Sequence, residues 1–168
     1  MSLAFKRRSK LVAAMAALVA VAAVAFLIHW SLNADKRPKG EIWFYDLKTR
    51  QLFAASDLSV PPIDTKSGPG TGVRAYVYAS EGGPRPTNQF IAFLEKFTPA
   101  VKQAVEEGLK GAGGQVPIGM ILERHPGGIL VSSPEVEQWV PKFSQEGQQI
   151  IERGKKKGGS ANPRLCLP

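Results

Sequence analysis

Apolar residues run without a break from Leu11 to Ile28, and no charge interrupts them. As a helix, the segment 11–30 would rise about 30 Å at ~1.5 Å per residue, the thickness of a bilayer core. The period then changes. In EIWFYDLKTRQLFAA, Ile42 and Phe44 fall on one face, Trp43 and Tyr45 on the other, and alternation resumes from Leu52 to Ala55. This pattern predicts a β-hairpin turning between Asp46 and Arg50, with at least one face in the core. A hairpin loop of this length favours glycine where φ is positive, and Arg50 occupies that place. The following DLSVPPIDTKSGPGTG reads as a loop and VRAYVYA as a strand. Val73, Ala75, Val77 and Ala79 line one side of that strand, opposite Arg74, Tyr76 and Tyr78. Strands favour tyrosine for packing, so the second side is read as covered rather than as a binding surface.

Further on, Phe90, Phe93, Leu94 and Phe97 recur at helical spacing, which predicts a core helix over TNQFIAFLEKF. Thr98 and Pro99 open a second helix that ends at Gly111, with Val101, Ala104, Val105 and Leu109 on its buried stripe. VPIGMILER, HPGG and ILVSS read as a second hairpin. Ser133 and Pro134 open a helical turn ending near Trp139, and Ser144 caps a last helix through Arg153. The predicted fold class is α+β: a single N-terminal transmembrane helix followed by a small, loop-rich α+β ectodomain. Its segments are a basic cytoplasmic tail (1–10), a transmembrane signal-anchor (11–30), a juxtamembrane linker (31–40), an extracytoplasmic domain (41–154) and a flexible basic C-terminal tail (155–168).

Composition sharpens this picture. A cleavable signal peptide has an apolar core of about 7–15 residues, shorter than this run, and Leu32 spoils the small-x-small site before an exit at Ala34. An uncleaved anchor therefore fits better. Small-xxx-small pairs, Ala13 with Ala17 and Ala16 with Ala20, offer a face where two such helices approach closely. Pilin-type processing is excluded, because no glycine precedes Gly40 and the run holds no carboxylate. A lipoprotein anchor is excluded in turn by the lack of a cysteine near the run. The basic residues Lys6, Arg7, Arg8 and Lys10 place the N-terminus in the cytoplasm, although Lys36, Arg37 and Lys39 nearly balance them.

Net charge is +8, yet the tail accounts for four positive charges and leaves 18 basic against 14 acidic residues beyond it. Lys155 to Lys157 is the only dense run, and lysines at a helix C-terminus complement its dipole, so nucleic acid is not expected as a partner. Catalytic inventory is thin: His29, His125 and Cys166 are the only His and Cys residues. His125 lies in the ERHPGG turn, Glu106 and Glu107 diverge by about 100° on a helix, and no zinc, nucleotide or nucleophile-elbow motif occurs. No catalytic, cofactor-binding or metal-ligating residue is assigned. Cys166, in a tail read as flexible, is expected to be an accessible thiol, either free or bridged to a second copy.

WFYDLKTRQLF, VPPIDTKSGPGTGVRAYVYA and EQWVPKFSQEGQQI together resemble uncharacterised single-pass membrane proteins of planctomycete-type bacteria, across most of residues 42–152. Such proteins look like YDLNTG at the hairpin turn and often carry cysteine after the VRAYV strand, where this chain has Ala79 and Ser80. The resemblance implies a bacterial envelope protein and brings no activity. The expectation is a single-pass protein of the inner membrane with its C-terminal domain in the periplasm, not an enzyme and without a cofactor. Its partners would be the lipid bilayer and an envelope protein or a second copy of itself. An interaction or structural role leads, and the alternative is an accessory subunit of a cell-envelope complex.

Overall fold

The computed structural model describes residues 40–80, 86–111, 118–159 and 161–168. Eight antiparallel strands make one sheet: β1 (Glu41–Asp46), β2 (Gln51–Ser56), β3 (Ile63–Thr65), β4 (Gly68–Ala79), β5 (Gln89–Phe97), β6 (Ile129–Ser132), β7 (Val140–Pro141) and β8 (Arg164–Leu165). Among the described residues three α-helices join them: α1 (Pro99–Gly111), α2 (Ile118–Arg124) and α3 (Gln145–Lys156). The main strand order is β2-β1-β4-β5-β6-β7. Strand β4 organises the rest, because it pairs with β1 and β8 and also with β3 and β5. The predicted α+β class is thus the observed one.

Period-2 alternation sorts the side chains onto two covered faces. Tyr45, Val73, Ala75, Val77, Ala79 and Leu94 form the first, with Trp43, Leu47, Ile91 and Trp139 packed against them. On the second, Ala92, Phe93, Val131, Val140 and Ile151 cluster with Tyr76, Tyr78, Phe90 and Ile150, so α3 covers this side. Tyr76 and Tyr78 therefore pack as the sequence predicts. Helix α1 places Val101 and Val105 against Val60, Phe97, Ile121 and Leu122 as a third cluster. The first hairpin also agrees with expectation: Phe44 is fully buried, its ring centroid lies 5.9 Å from that of Phe53, and Tyr45 is buried on the opposite side.

Arg50 adopts φ +58°, the left-handed conformation foreseen for its position. A Cβ makes that region unfavourable by about 1–2 kcal/mol. Arg50→Gly is therefore expected to raise stability by about 1 kcal/mol after the added freedom of the unfolded chain is counted. Urea unfolding at constant m would register the gain as a higher midpoint.

The stretch DLSVPPIDTKSGPGTG, read as a loop, holds β3 and the first five residues of β4, because their backbones pair with each other, and four further segments depart from the sequence reading. In TNQFIAFLEKF, Gln89–Phe97 is strand β5 and not a helix, preceded by a 3-10 turn at Pro86–Asn88. A bulge between Tyr76 and Val77 leaves Ala92 outside the register, so Phe90 faces Tyr78 and Phe93 faces Tyr76 on one side of the sheet. The extra residue produces a spacing of three from Phe90 to Phe93, ordinary alternation adds four more to Phe97, and a bulged strand thereby imitates a helix. In the supposed second hairpin, Ile118–Arg124 is instead α2, whose Ile121 and Leu122 pack on the third cluster. Short apolar runs do not distinguish the two states until a neighbour selects one. Pro134 to Val136 form bends rather than a helical turn, and Ser132 Oγ donates to the Val136 carbonyl at 2.6 Å.

The C-terminal segment is the fourth. Arg164 and Leu165 pair with Ala79 and Tyr78, the Cys166 amide donates to the Val77 carbonyl at 2.8 Å, and Cys166 joins the first core face at 4% exposure. Residues 155–168 were expected as a flexible tail, yet β4 offers unpaired backbone beyond β1, and the tail fills it. Burial pushes the Cys166 thiol upward in pKa. The expectation of an accessible thiol is thereby corrected: alkylation of the native chain should be slow and should accelerate on unfolding in urea. Mass spectrometry of quenched time points would measure both rates, and equal rates would place the tail off the sheet.

No helix among the described residues is long and apolar enough to cross a membrane. The run 11–30 and residues 1–39 as a whole, His29 included, lie outside them.

Candidate functional site

Two buried carboxylates gather the polar chemistry of the domain. Asp46 ends β1 and is 6% exposed. Its Oδ1 accepts the Lys48 and Thr49 amides at 2.9 and 3.0 Å, which shapes the hairpin turn. Thr65 Oγ1 donates to Oδ2 at 2.5 Å, and Ser67 Oγ lies 2.8 and 2.7 Å from the two oxygens. Thr71 Oγ1 completes the group, 2.6 Å from Thr65 Oγ1 and 3.0 Å from the Gly68 carbonyl that it donates to. This network ties the β1–β2 turn to the β3–β4 turn. Lys48 Nζ adds a bond to the Ser67 carbonyl at 3.0 Å.

The Thr65 bond, opposed by burial and assisted by Ser67 and the Thr49 and Lys48 amides, holds the Asp46 carboxyl well below the usual carboxylate range. A depressed folded-state pKa contributes stability above the unfolded value of about 4, and that contribution is lost as pH falls through the folded value. Asp46→Asn should accordingly melt below the wild type at neutral pH, with the gap closing on acidification. Thermal melts between pH 7 and pH 2 would reveal this convergence, and parallel curves would contradict it. The carboxylate holds the Thr65 and Ser67 hydroxyls and the two turn amides in place at hydrogen-bond distance.

Glu95 is the second carboxylate, 3% exposed on the α3 side of β5. Lys142 Nζ lies 2.5 Å from Oε2, the Tyr76 hydroxyl donates to Oε1 at 3.1 Å, and Arg74 Nη1 stands 4.0 Å from Oε1. The Tyr76 ring stacks on Phe93 with centroids 4.3 Å apart, and the Arg74 guanidinium carbon lies 4.8 Å from its centroid. Burial, then the Glu95 charge beside it, pushes the Tyr76 phenol far above its usual range. Tyr76 thus remains a neutral donor. Both carboxylate oxygens are engaged, and the cluster joins β4, β5 and the β7–α3 connection.

The residues weighed from the sequence do not converge. His125 lies in the turn after α2, its amide bonded to Ile121 and its carbonyl to the Gly128 amide. Glu106 meets Lys102 at 3.7 Å and Glu107 meets Gln103 at 2.9 Å, both along α1. Lys156 pairs with Glu152, and Lys157 with Glu135 across the groove between α3 and the β6–β7 loop. Among the described residues no three His, Cys, Asp or Glu side chains are grouped to hold a metal ion. Sequence reasoning missed Glu95 and Lys142, whose one legible sign was a charge on the same side of a strand as Phe93 and Phe97. The helix reading concealed it. The chain matches no protein-family model, no curated protein and no solved structure.

Proposed function

We propose that this chain is a single-pass protein of the bacterial inner membrane whose α+β domain lies on the periplasmic side and serves an interaction or structural role. The uncharged run from Leu11 to Ile28, which precedes the α+β domain in the sequence, is the observation that carries this reading. A bilayer core accepts such a run with a few kcal/mol in its favour. The resemblance of most of residues 42–152 to uncharacterised single-pass membrane proteins of planctomycete-type bacteria implies an envelope protein and agrees with this reading. The engagement of Asp46 and Glu95 in joining strands supports a structural use of the buried charge.

Two measurements test the reading. Membranes washed with alkaline carbonate should retain the chain, and protease added to intact spheroplasts should degrade the domain. Release by carbonate would remove the anchor, and protection until lysis would reverse the topology. Co-purification from detergent then separates the roles: a stoichiometric set of other proteins would make the chain an accessory subunit of an envelope complex.

A further inference from the structure

The sheet has several open margins, and they differ. β7 has two residues and ends in Pro141, β8 has two, and β3 has three with an irregular register and Asp64 in its middle. Short length, proline, charge and irregularity are the means by which proteins blunt an edge. β2 uses none of them. Its six residues, QLFAAS, contain no charge, proline or glycine, and they pair with β1 in an unbroken register.

The register decides which backbone groups are open. Asp57 donates its amide to the Gly40 carbonyl at 2.8 Å, continuing the Glu41 with Ser56 alignment. Antiparallel bonding alternates, so residues 51, 53, 55 and 57 bond toward β1, while Leu52, Ala54 and Ser56 present N–H and C=O outward. The Ser56 carbonyl already accepts the Ser59 amide at 2.9 Å, which leaves Leu52 and Ala54 with both groups unengaged among the described residues.

We propose that β2 pairs with β2 of a second copy of this chain, antiparallel, about a dyad centred on Phe53. This deepens the interaction reading by naming its partner, although it stands on the sheet edge alone and not on the membrane anchor. A dyad perpendicular to an antiparallel sheet must pass through a residue facing its own equivalent. Centred on Phe53, it sets Leu52 opposite Ala54 twice and forms four backbone hydrogen bonds from unengaged groups alone. Centred on Ala54, it would draw on the occupied Ser56 carbonyl. The two Phe53 rings would meet on the Phe44 side, where Phe53 borders a groove of about 570 Å³ whose other wall is the Asp64 to Ser67 turn.

Charge selects the second copy as the occupant. The strand is neutral, so no like charges oppose each other across the dyad. Arg50 and Asp57 flank it, and neither has an ion-pair partner among the described residues. Antiparallel pairing brings Arg50 of one copy within one residue of Asp57 of the other at both ends.

Single-cysteine scanning in the detergent-solubilised full chain, with the native thiol removed by Cys166→Ala, tests the geometry. Opposed residues at a non-hydrogen-bonded pair have Cα atoms ~4.5 Å apart, within disulfide reach, whereas two copies of residue 51 or 55 would be separated by about 14 Å. Under mild oxidant, Phe53→Cys should yield a reducible dimer at least about tenfold faster than Gln51→Cys or Ala55→Cys. Unmodified chain should sediment as a dimer, and Ala54→Pro should sediment as a folded monomer, because it deletes an N–H that β1 does not use. If proline disturbs the far-UV spectrum, Ala54→Lys places a charge on the same exposed edge and serves instead. A monomeric wild type, a dimer that survives both Ala54 variants, or crosslinking that peaks away from residue 53 would each overturn the proposal.

Discussion

Phe44→Ala is expected to lower the stability of the domain by about 3–5 kcal/mol, the range for removing a buried phenylalanine and leaving a cavity. Phe44 is fully buried on β1, beside Phe53 on the neighbouring strand and between two residues whose side chains face the opposite core. Neither face can collapse into the void without shifting the strand that carries the other. Leu58→Ala, at a side chain 49% exposed, should change stability by less than about 0.5 kcal/mol. Parallel urea titrations would establish the contrast. Equal midpoints for Phe44→Ala and wild type would mean that the second face is not a packed core.

Lys142→Met is expected to cost about 3–5 kcal/mol, because it strands the Glu95 carboxylate at 3% exposure with only Tyr76 and the more distant Arg74 beside it. The lesson of buried pairs is an asymmetry. Removing one partner leaves an uncompensated charge, whereas removing both leaves apolar volume that packs. Glu95→Leu combined with Lys142→Met should therefore recover most of the loss, and Glu95→Leu alone should cost less than Lys142→Met, since Lys142 is itself 24% exposed and turns to water. A double-mutant cycle on urea midpoints measures the coupling. Additive losses would show that the two residues do not depend on each other.

These two variants probe different layers of the same sheet. Phe44 reports the apolar contact that makes burial favourable, and Glu95 reports how charge is accommodated once β5 lies between β4 and β6. Gly154 links them to α3: a Cβ there would stand 2.1 Å from the Ala92 carbonyl, so only glycine lets the helix rest on the bulge.

Local chemistry was legible in the sequence wherever it was sufficient. Alternation in residues 41–56, the Arg50 position in its turn, Pro99 at the start of α1 and the Ser144 cap each depend on neighbours a few residues away, and each appears in the structure. The Ser144 hydroxyl accepts the Gly147 amide at 3.0 Å, as a residue of that type at a helix start should.

Tertiary structure decided the rest, for reasons of reach. The helical spacing of Phe90, Phe93 and Phe97 arises from a bulge, and a bulge exists only relative to the strand it faces. Cys166 and the residues before it have tail composition, yet Val77 supplies the hydrogen bond that orders them from a position 89 residues earlier in the chain. Glu95 and Lys142 are 47 residues apart and carry no shared motif; their contact follows from β6 and β7 returning Lys142 to the face of β5. Periodicity and capping are properties of a segment, and the sequence by itself determined those. Register, edge exposure and the pairing of buried charge are properties of two segments brought together, so they entered only when the sheet closed around β4.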